Sequence, residues 1–290
     1  SKRAIYTKKL HTLETYYLLG FIILGFLGVV TNTPSIWLIG LVGLMADITI
    51  HDNAIAGADV GTYFPLRGQV FISSLIGYEF YMDETSFDFF YEKTLDGGAT
   101  WEAAVTLRTG SVNLCDVWFD KWTPGDSGIV IHIAYVDFGV DDVFYRSLTT
   151  GAETVGTEIT VLAGTSVTTT GTFLSIAKSR GGNIGIVYNL DGGTEDGFEI
   201  STDNGATFGA VLTPNEDGSD FLALFPGNYA DNNDFDLIFH DISASELSLK
   251  PYDNSENTWS EAVISTGIVG HASPENGCSF GASLRLSDGH

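Results

Sequence analysis

Positive charge is scarce in this sequence. Of its 290 residues only 13 are Lys or Arg, against 37 Asp or Glu, which gives a formal net charge of −24. Four of the basic residues and one of the acidic residues precede Met45, so the remainder carries nine basic and 36 acidic side chains. Nucleic-acid binding depends on Lys and Arg that neutralise phosphates, and anionic membrane surfaces repel so acidic a chain. The composition therefore excludes nucleic acid as a partner.

Cysteine and helical periodicity are also rare. Cys115 and Cys278 are the two cysteines, which is too few for a disulfide framework. They fall at equivalent points of two non-adjacent repeats, where bonding distance is not expected, so we predict buried free thiols. After Met45 no stretch has the apolar period of an amphipathic helix. No Gly-rich phosphate loop, nucleophile elbow or Cys-x-x-Cys pair is present, and the histidines are scattered. The sequence favours an all-β protein.

Charge is absent altogether from Thr15 to Ala46. Two apolar runs, 16–30 and 36–44, flank a break that contains Pro34. A membrane-spanning helix needs about 20 apolar residues, so the two runs together predict an apolar helical segment in residues 1–44. Basic residues before it would place the acidic remainder outside the cell. Two alternatives stay open: a cleaved signal peptide, and a non-native upstream extension with Met45 as initiator. Membrane contact is expected only through residues 16–44.

One short pattern occurs twice in the acidic part. Thr94–Trp101 reads T-x-D-x-G-x-T-W, and Ser201–Phe208 reads S-x-D-x-G-x-T-F. In such a hairpin turn the Asp accepts backbone N–H groups of its own turn, the Gly adopts a left-handed conformation, and the aromatic ring is buried between sheets. Weaker copies lie at Thr149–Glu153 and Asp253–Trp259. The structural residues predicted for these turns are Asp96, Gly98, Thr100, Trp101, Asp203, Gly205, Thr207, Phe208, Asp253 and Trp259.

The turns mark a repeat. Positions 96, 149, 203 and 253 are 53, 54 and 50 residues apart, and four apolar strand-like runs accompany each turn. Four strands in about fifty residues are typical of a β-propeller blade. We therefore predict that residues 45–290 form a propeller of four-stranded antiparallel blades, with about four and a half blades present. Because an open arc leaves apolar flanks exposed, the propeller is expected to be incomplete at its carboxyl end.

The turn pattern resembles the Asp box, or bacterial neuraminidase repeat, of sialidase-like β-propellers. The resemblance implies six blades when complete and a structural role for the box turns, on the face opposite the usual binding face. It does not imply activity. Enzymes of the family hold the substrate carboxylate with three arginines, one in an Arg-Ile-Pro motif, and add a Tyr–Glu nucleophile pair and an Asp acid. Here Pro65 and Arg67 stand in the opposite order. The arginines after Met45 are Arg67, Arg108, Arg146, Arg180 and Arg285.

A second repeated feature is an Asp at the end of each predicted second strand. These residues are Asp83, Asp137, Asp191 and Asp241, spaced 54, 54 and 50. Asp is also a common turn former, so a purely structural role is the alternative. As a ring of carboxylates they would bind a cation, a Ca²⁺-bridged glycan or the hydroxyls of a neutral sugar. Aromatic rings near them would stack on sugars. The predicted ligand-binding residues are Asp83, Asp137, Asp191, Asp241, Glu195 and Phe138.

These observations favour a non-enzymatic, surface-displayed module that binds a glycan or protein ligand through its carboxylate-rich loops. The alternative is a glycoside hydrolase of sialidase-like fold, acting on sialosides or on a neutral sugar through two of the carboxylates, since clustered carboxylates raise one another's pKa. No catalytic residue, metal ligand or cofactor is assigned, although Ca²⁺ is possible. The expected localisation is extracellular or surface-exposed, with the membrane segment as anchor.

Overall fold

The computed structural model describes residues 67–83, 85–164, 173–189, 196–214, 221–227, 232–241 and 244–267. All of these residues lie in the second of the two units into which the chain divides, residues 50–290. The predicted apolar segment 1–44 lies outside the described residues, as do Asp191, Glu195 and Cys278. Within the part that is described, no helix is long and apolar enough to cross a membrane.

Four antiparallel sheets follow one another along the chain, and we call them blades 1 to 4. The strands of blade 1 are β1 (Gln69–Phe71), β2 (Gly77–Met82), β3 (Phe89–Thr94) and β4 (Val105–Arg108). Those of blade 2 are β5 (Val112–Phe119), β6 (Val130–Asp137), β7 (Asp142–Thr149), β8 (Thr154–Val155) and β9 (Ile159–Leu162). Blade 3 contains β10 (Leu174–Lys178), β11 (Ile184–Asn189), β12 (Asp196–Ser201) and β13 (Gly209–Ala210). Blade 4 contains β14 (Phe221–Pro226), β15 (Phe235–Asp241), β16 (Glu246–Asp253), β17 (Thr258–Trp259) and β18 (Ala262–Thr266).

Each blade is a meander in which every strand pairs with the next one in sequence. In blades 2 and 4 the outermost strand is broken into two short pieces that both pair with the third strand. This order places the turns between third and fourth strands at one end of every blade, which we call the box side. The loops between second and third strands lie at the opposite end, which we call the loop side.

The strands of blade 2 show why the chain folds as stacked sheets. Every residue of β5 is buried, and so is every residue of β6 after Val130. A strand that is apolar on both faces must be covered on both. One face of blade 2 packs against blade 1, where Tyr135 meets Phe89 with ring centroids 5.3 Å apart. The other face belongs to a second core cluster that continues through blades 3 and 4.

The first strand of each blade is its innermost. Strand β10 lies beside both β5 and β14, so consecutive blades are arranged around the line where their first strands meet. The predicted all-β propeller of four-stranded antiparallel blades is confirmed in these residues, whereas the six-blade count stays a prediction. One boundary differs from the prediction, because β5 ends at Phe119 instead of Trp122. A 3₁₀ turn, Asp120–Trp122, follows, and the Asp120 side chain accepts the N–H of Val130 there (2.8 Å).

Candidate functional site

The box turns hold their aspartates in a closed set of hydrogen bonds. Asp96 accepts the N–H and the hydroxyl of Thr100 (2.8 and 2.7 Å) and the hydroxyl of Thr94 (2.9 Å). Asp203 repeats this with Thr207 (2.9 and 2.6 Å) and Ser201 (2.8 Å). The hydroxyl donors stabilise the ionised carboxylates, so the pKa of Asp96 is lowered and that of Asp203 falls to about 2. Both carboxylates are saturated by their own turns, as predicted.

The remaining box residues also have the predicted conformations. Gly98 and Gly205 have φ values of +91° and +85°, and their N–H groups donate to Thr94 and Ser201 (2.8 Å each). Phe208 packs against Tyr145 of blade 2 with ring centroids 5.1 Å apart. The fourth turn is built differently. Asp253 accepts the N–H and hydroxyl of Ser255 (2.8 and 2.7 Å) and the N–H of Glu256 (3.1 Å).

On the loop side, the three described aspartates of the predicted ring each close a turn. Asp83 accepts the N–H groups of Thr85 and Ser86 (2.9 and 2.7 Å). Asp137 accepts the N–H of Gly139 (2.8 Å) and Asp241 that of Ala244 (2.8 Å). All three therefore form turns, as the structural alternative requires. Their ligand-binding role stays a prediction, and that of Asp191 and Glu195 lies outside the described residues.

Asp137 differs from the other two because it is only 2% exposed. Its second oxygen accepts Arg108 Nε (2.6 Å). Arg108 lies 4.0 Å above the ring of Phe144 and also donates to Glu158 (2.6 Å). This ion pair joins the outer strand of blade 1 to the end of β6 in blade 2. Asp137 therefore offers almost no surface to a ligand.

Glu158 is the centre of a further set of contacts. It accepts the hydroxyl of Tyr135 (2.5 Å) and an N–H of Arg146 (3.3 Å), besides the bond from Arg108. Burial alone would raise the pKa of Glu158, but the donors Tyr135 and Arg108 lower it below its ordinary value. Arg108 and Arg146 thus both bind carboxylates of the protein itself.

Phe138, the predicted stacking residue, is half-buried and packs against the core cluster of blades 2 to 4. Its N–H donates to the carbonyl of Ser111 (2.9 Å). The ring is therefore anchored at the loop side beside Asp137, and only part of its surface remains accessible.

The most connected side chain lies where the first strands converge. Arg67 precedes β1, and its guanidinium binds both oxygens of Asp116 on β5. It also donates to the hydroxyl of Ser175 (2.9 Å) and the carbonyl of Ile176 (2.6 Å), both on β10. A fourth contact reaches the carbonyl of Leu224 on β14 (3.3 Å). One side chain thus joins the beginning of blade 1 to the inner strands of blades 2, 3 and 4.

Two aromatic rings flank this guanidinium, Trp118 at 4.7 Å and Phe225 at 5.7 Å from its carbon to the ring centroids. Asp116 has no exposed surface at all. A buried carboxylate is stable only when it is paired and hydrogen-bonded, so Asp116 requires Arg67. The guanidinium is consequently not available to hold the carboxylate of an anionic sugar.

A second buried network joins blades 2 and 3. One oxygen of Asp120 contacts His132 Nε2 (3.0 Å) and accepts from Lys178 Nζ of β10 (2.6 Å). Lys178 also pairs with Asp126 (2.8 Å). The other ring nitrogen of His132 lies 2.7 Å from the Tyr145 hydroxyl, which fits a neutral imidazole that donates to Asp120 and accepts from Tyr145.

The charges in this second network are stabilised by one another. Burial opposes the ionised form of Asp120, but His132 and Lys178 more than compensate and lower its pKa to about 2. Burial lowers the pKa of His132, which keeps the ring neutral. The predicted structural role of this histidine is confirmed.

Sequence reasoning missed Asp116 and Asp120. The signal was present, because two acids stand four residues apart in the apolar strand Leu114–Phe119 and its immediate end. A charge inside a two-face-buried strand must have a partner. Nothing in the sequence indicates that the partners are Arg67 and Lys178, which are 49 and 58 residues away.

No metal centre is apparent in the described ranges, where no group of three or more His, Cys, Asp or Glu could hold an ion. Ca²⁺ binding is untested by this observation, since Asp191 and Glu195 are not described. Cys115 is a buried free thiol, as predicted, and burial raises its pKa well above the ordinary value.

No protein-family model matches the sequence, and no curated protein matches it. Solved structures with a similar arrangement include an ulvan lyase of polysaccharide lyase family PL25, 11% identical over 74% of this chain and 58% of that chain, with a TM-score of 0.47. The NanB sialidase from Streptococcus pneumoniae is 12% identical over 63% and 31%, with a TM-score of 0.43. An exo-β-1,3-galactanase from Phanerochaete chrysosporium is 13% identical over 70% and 50%, with a TM-score of 0.42.

Sialidases are thus among the structures that this chain resembles, as the box pattern predicts. The chain spans 58% of the length of the ulvan lyase and less of the other two. Identities of 11–13% with TM-scores below 0.5 assign neither an activity nor a substrate.

Proposed function

We propose that this protein is a non-enzymatic β-propeller module that binds a glycan or a protein ligand through the loops on its loop side. The observation that carries the proposal is the commitment of the central arginine. Arg67 is hydrogen-bonded to Asp116 and to the inner strands of blades 3 and 4, so it cannot serve as a substrate-binding arginine without breaking the interior.

The other two arginines with described partners support the same conclusion. Arg108 is paired with Asp137 and Glu158, and Arg146 with Glu158. Recognition of an anionic sugar by arginines requires guanidinium groups whose N–H donors face the ligand. Three arginines that are bound to internal acceptors favour binding without sialidase chemistry.

The loop side supplies the chemistry expected of a ligand for this surface. Asp83 and Asp241 use one carboxylate oxygen each to close a turn, and Asp141 and Asp142 lie in the equivalent loop of blade 2. Val140 in that loop is 51% exposed. A negatively charged surface with an apolar contact suits a neutral sugar bound through its hydroxyls, a cation-bridged glycan or a basic protein patch.

An array of immobilised glycans, including neutral and sialylated members, tests the proposal. We expect the Asp83→Asn/Asp241→Asn double variant to bind its ligands at least tenfold more weakly than the wild type. Asn keeps an oxygen that closes the turn and removes only the charge. The matched control is Asp96→Asn/Asp203→Asn, which changes the box side and should leave binding unchanged in folded protein. Equal binding by all three proteins would refute the loop side as the site.

We further propose that the propeller is displayed outside the cell or virus particle, with residues 16–44 as its membrane anchor. The support is compositional: an uncharged apolar stretch precedes a strongly acidic body, with basic residues on its other flank. Mass spectrometry of the native amino terminus is the test. A native protein that begins at Met45 or Ala46 would have no such anchor.

A further inference from the structure

Each turn between third and fourth strands leans on the blade that precedes it. In blade 2 the carbonyl of Thr150 accepts the hydroxyl of Tyr78 from blade 1 (3.3 Å). In blade 3, Phe208 packs on Tyr145 of blade 2. In blade 4, Trp259 lies 5.1 Å from Phe198 of blade 3, centroid to centroid, and its indole N–H donates to the carbonyl of Leu212 (2.8 Å). All three described junctions between blades use this contact.

Blade 1 has the same turn, and its aromatic residue is Trp101. This side chain is half-buried. Among the described residues it makes no ring contact with another blade, although Phe208 and Trp259 at the equivalent positions both do. The most complete of the four box turns is therefore the one whose aromatic ring lacks the neighbour that the repeat supplies elsewhere.

Phe71 gives an independent indication at the same end of blade 1. It pairs with Gly77, four residues before Tyr81, just as Phe119 of blade 2 pairs with Ile131, four residues before Tyr135. Phe119 is 3% exposed, inside the core between blades 1 and 2. Phe71 occupies the matching position on the face of blade 1 that points away from blade 2, and it is 40% exposed.

We propose that Trp101 and Phe71 form a closing surface, which receives the third strand of a later unit of this same repeat and so completes the ring of blades. The occupant follows from the repetition: at each described junction the preceding blade presents its second or third strand to the turn, with Tyr145 and Phe198 as the contacts on the third strand. An apolar pair on an acidic protein also fits a blade face better than a charged ligand. This proposal is independent of the binding function.

Photo-crosslinking in the native, full-length protein tests it. p-Benzoyl-phenylalanine replaces Phe208 in the control, where the crosslink is expected on β7 near Tyr145. The same residue in place of Trp101 should give an intramolecular crosslink to a residue after Gly267, in a third strand of the repeat. A crosslink to a second copy, to an unrelated protein or to none while the control succeeds would overturn the proposal.

Wild-type protein provides a second measurement that needs no variant. Hydroxyl-radical oxidation rates are compared for the pairs Trp101 and Trp259, and Phe71 and Phe119. A closed ring predicts rates within about twofold for each pair, because each member then has a blade against it. Oxidation of both Trp101 and Phe71 several times faster than their counterparts would show that no blade covers them.

Discussion

The residues that repeat along this chain and the residues that do not have different tasks. The repeated turn residues, such as Asp96 and Asp203, bind atoms of their own turn and shape a single blade. Unrepeated residues, such as Asp116 and Asp120, bind side chains of other blades and hold the blades together. The repeat is visible because every blade needs the same hairpin, whereas each junction is satisfied by a different set of partners.

The comparison predicts that the unrepeated pair Arg67–Asp116 contributes most to stability. Asp116→Leu removes the carboxylate and leaves Arg67 among buried carbonyls and aromatic rings without its counter-charge. Breaking a buried ion pair by removing one partner costs about 3–5 kcal/mol, and we expect that loss in the free energy of unfolding measured with urea.

A double-mutant cycle with Arg67→Met separates the pair from its surroundings. The Arg67→Met/Asp116→Leu protein should be more stable than the Asp116→Leu single variant, because no unpaired charge remains. Additive losses in the double variant would mean that the two side chains do not act as a pair.

Gly205 is where a box turn touches another blade, so its substitution should cost more than that of an isolated turn residue. An added Cβ would lie 2.4 Å from the ring of Tyr145, at a φ of +85°. Overpacking costs about 1–3 kcal/mol, and the positive φ adds about 1 kcal/mol. We expect thermal unfolding of Gly205→Ala to show a loss of at least about 2 kcal/mol. Gly209→Ala is the control, since nothing lies within 4 Å of its Cβ position; equal effects of the two would contradict the contact.

Lys178 tests the junction between blades 2 and 3. Lys178→Met keeps the aliphatic stem and removes the bonds to Asp120 and Asp126. Hydrogen bonds to charged groups contribute about 1.5–3 kcal/mol, and His132 remains bonded to Asp120, so we expect a loss near the lower limit. Chemical denaturation measures it. Lys121→Met, an exposed neighbour, should change little, and a similar loss there would indicate a general charge effect.

The smallest effect is expected at a repeated residue. Asp203→Ala removes bonds within one exposed turn, so the melting temperature should fall only slightly at pH 7. Because the pKa of Asp203 is lowered from 3.8 to about 2, its contribution is complete above about pH 3.8 and disappears as the pH falls through 2. The difference between wild type and variant should therefore narrow in melts between pH 5 and pH 2.5. A difference independent of pH would contradict the turn's hydrogen bonding.

The sequence predicts the parts of this protein that depend on local geometry. The period of the box turns, the second strands and the aspartates that follow them all appear in the structure because each is determined within one blade. Arg67 could not be assigned in the same way. Its partners Asp116, Ser175 and Leu224 lie 49, 108 and 157 residues further along, and only the convergence of the first strands brings them together. For the same reason the burial of Asp137 by Arg108 was not predictable.

The most direct test of the account is a turnover assay with the folded, full-length wild-type protein on fluorogenic sialosides and neutral glycosides, run alongside the binding array. Because Arg67, Arg108 and Arg146 are bound to internal acceptors, we predict that it binds its ligands and releases no sugar from any of these substrates. Release that is lost when Arg108 or Arg146 is replaced in otherwise folded protein would contradict the structural assignment of these arginines and identify the protein as a glycoside hydrolase.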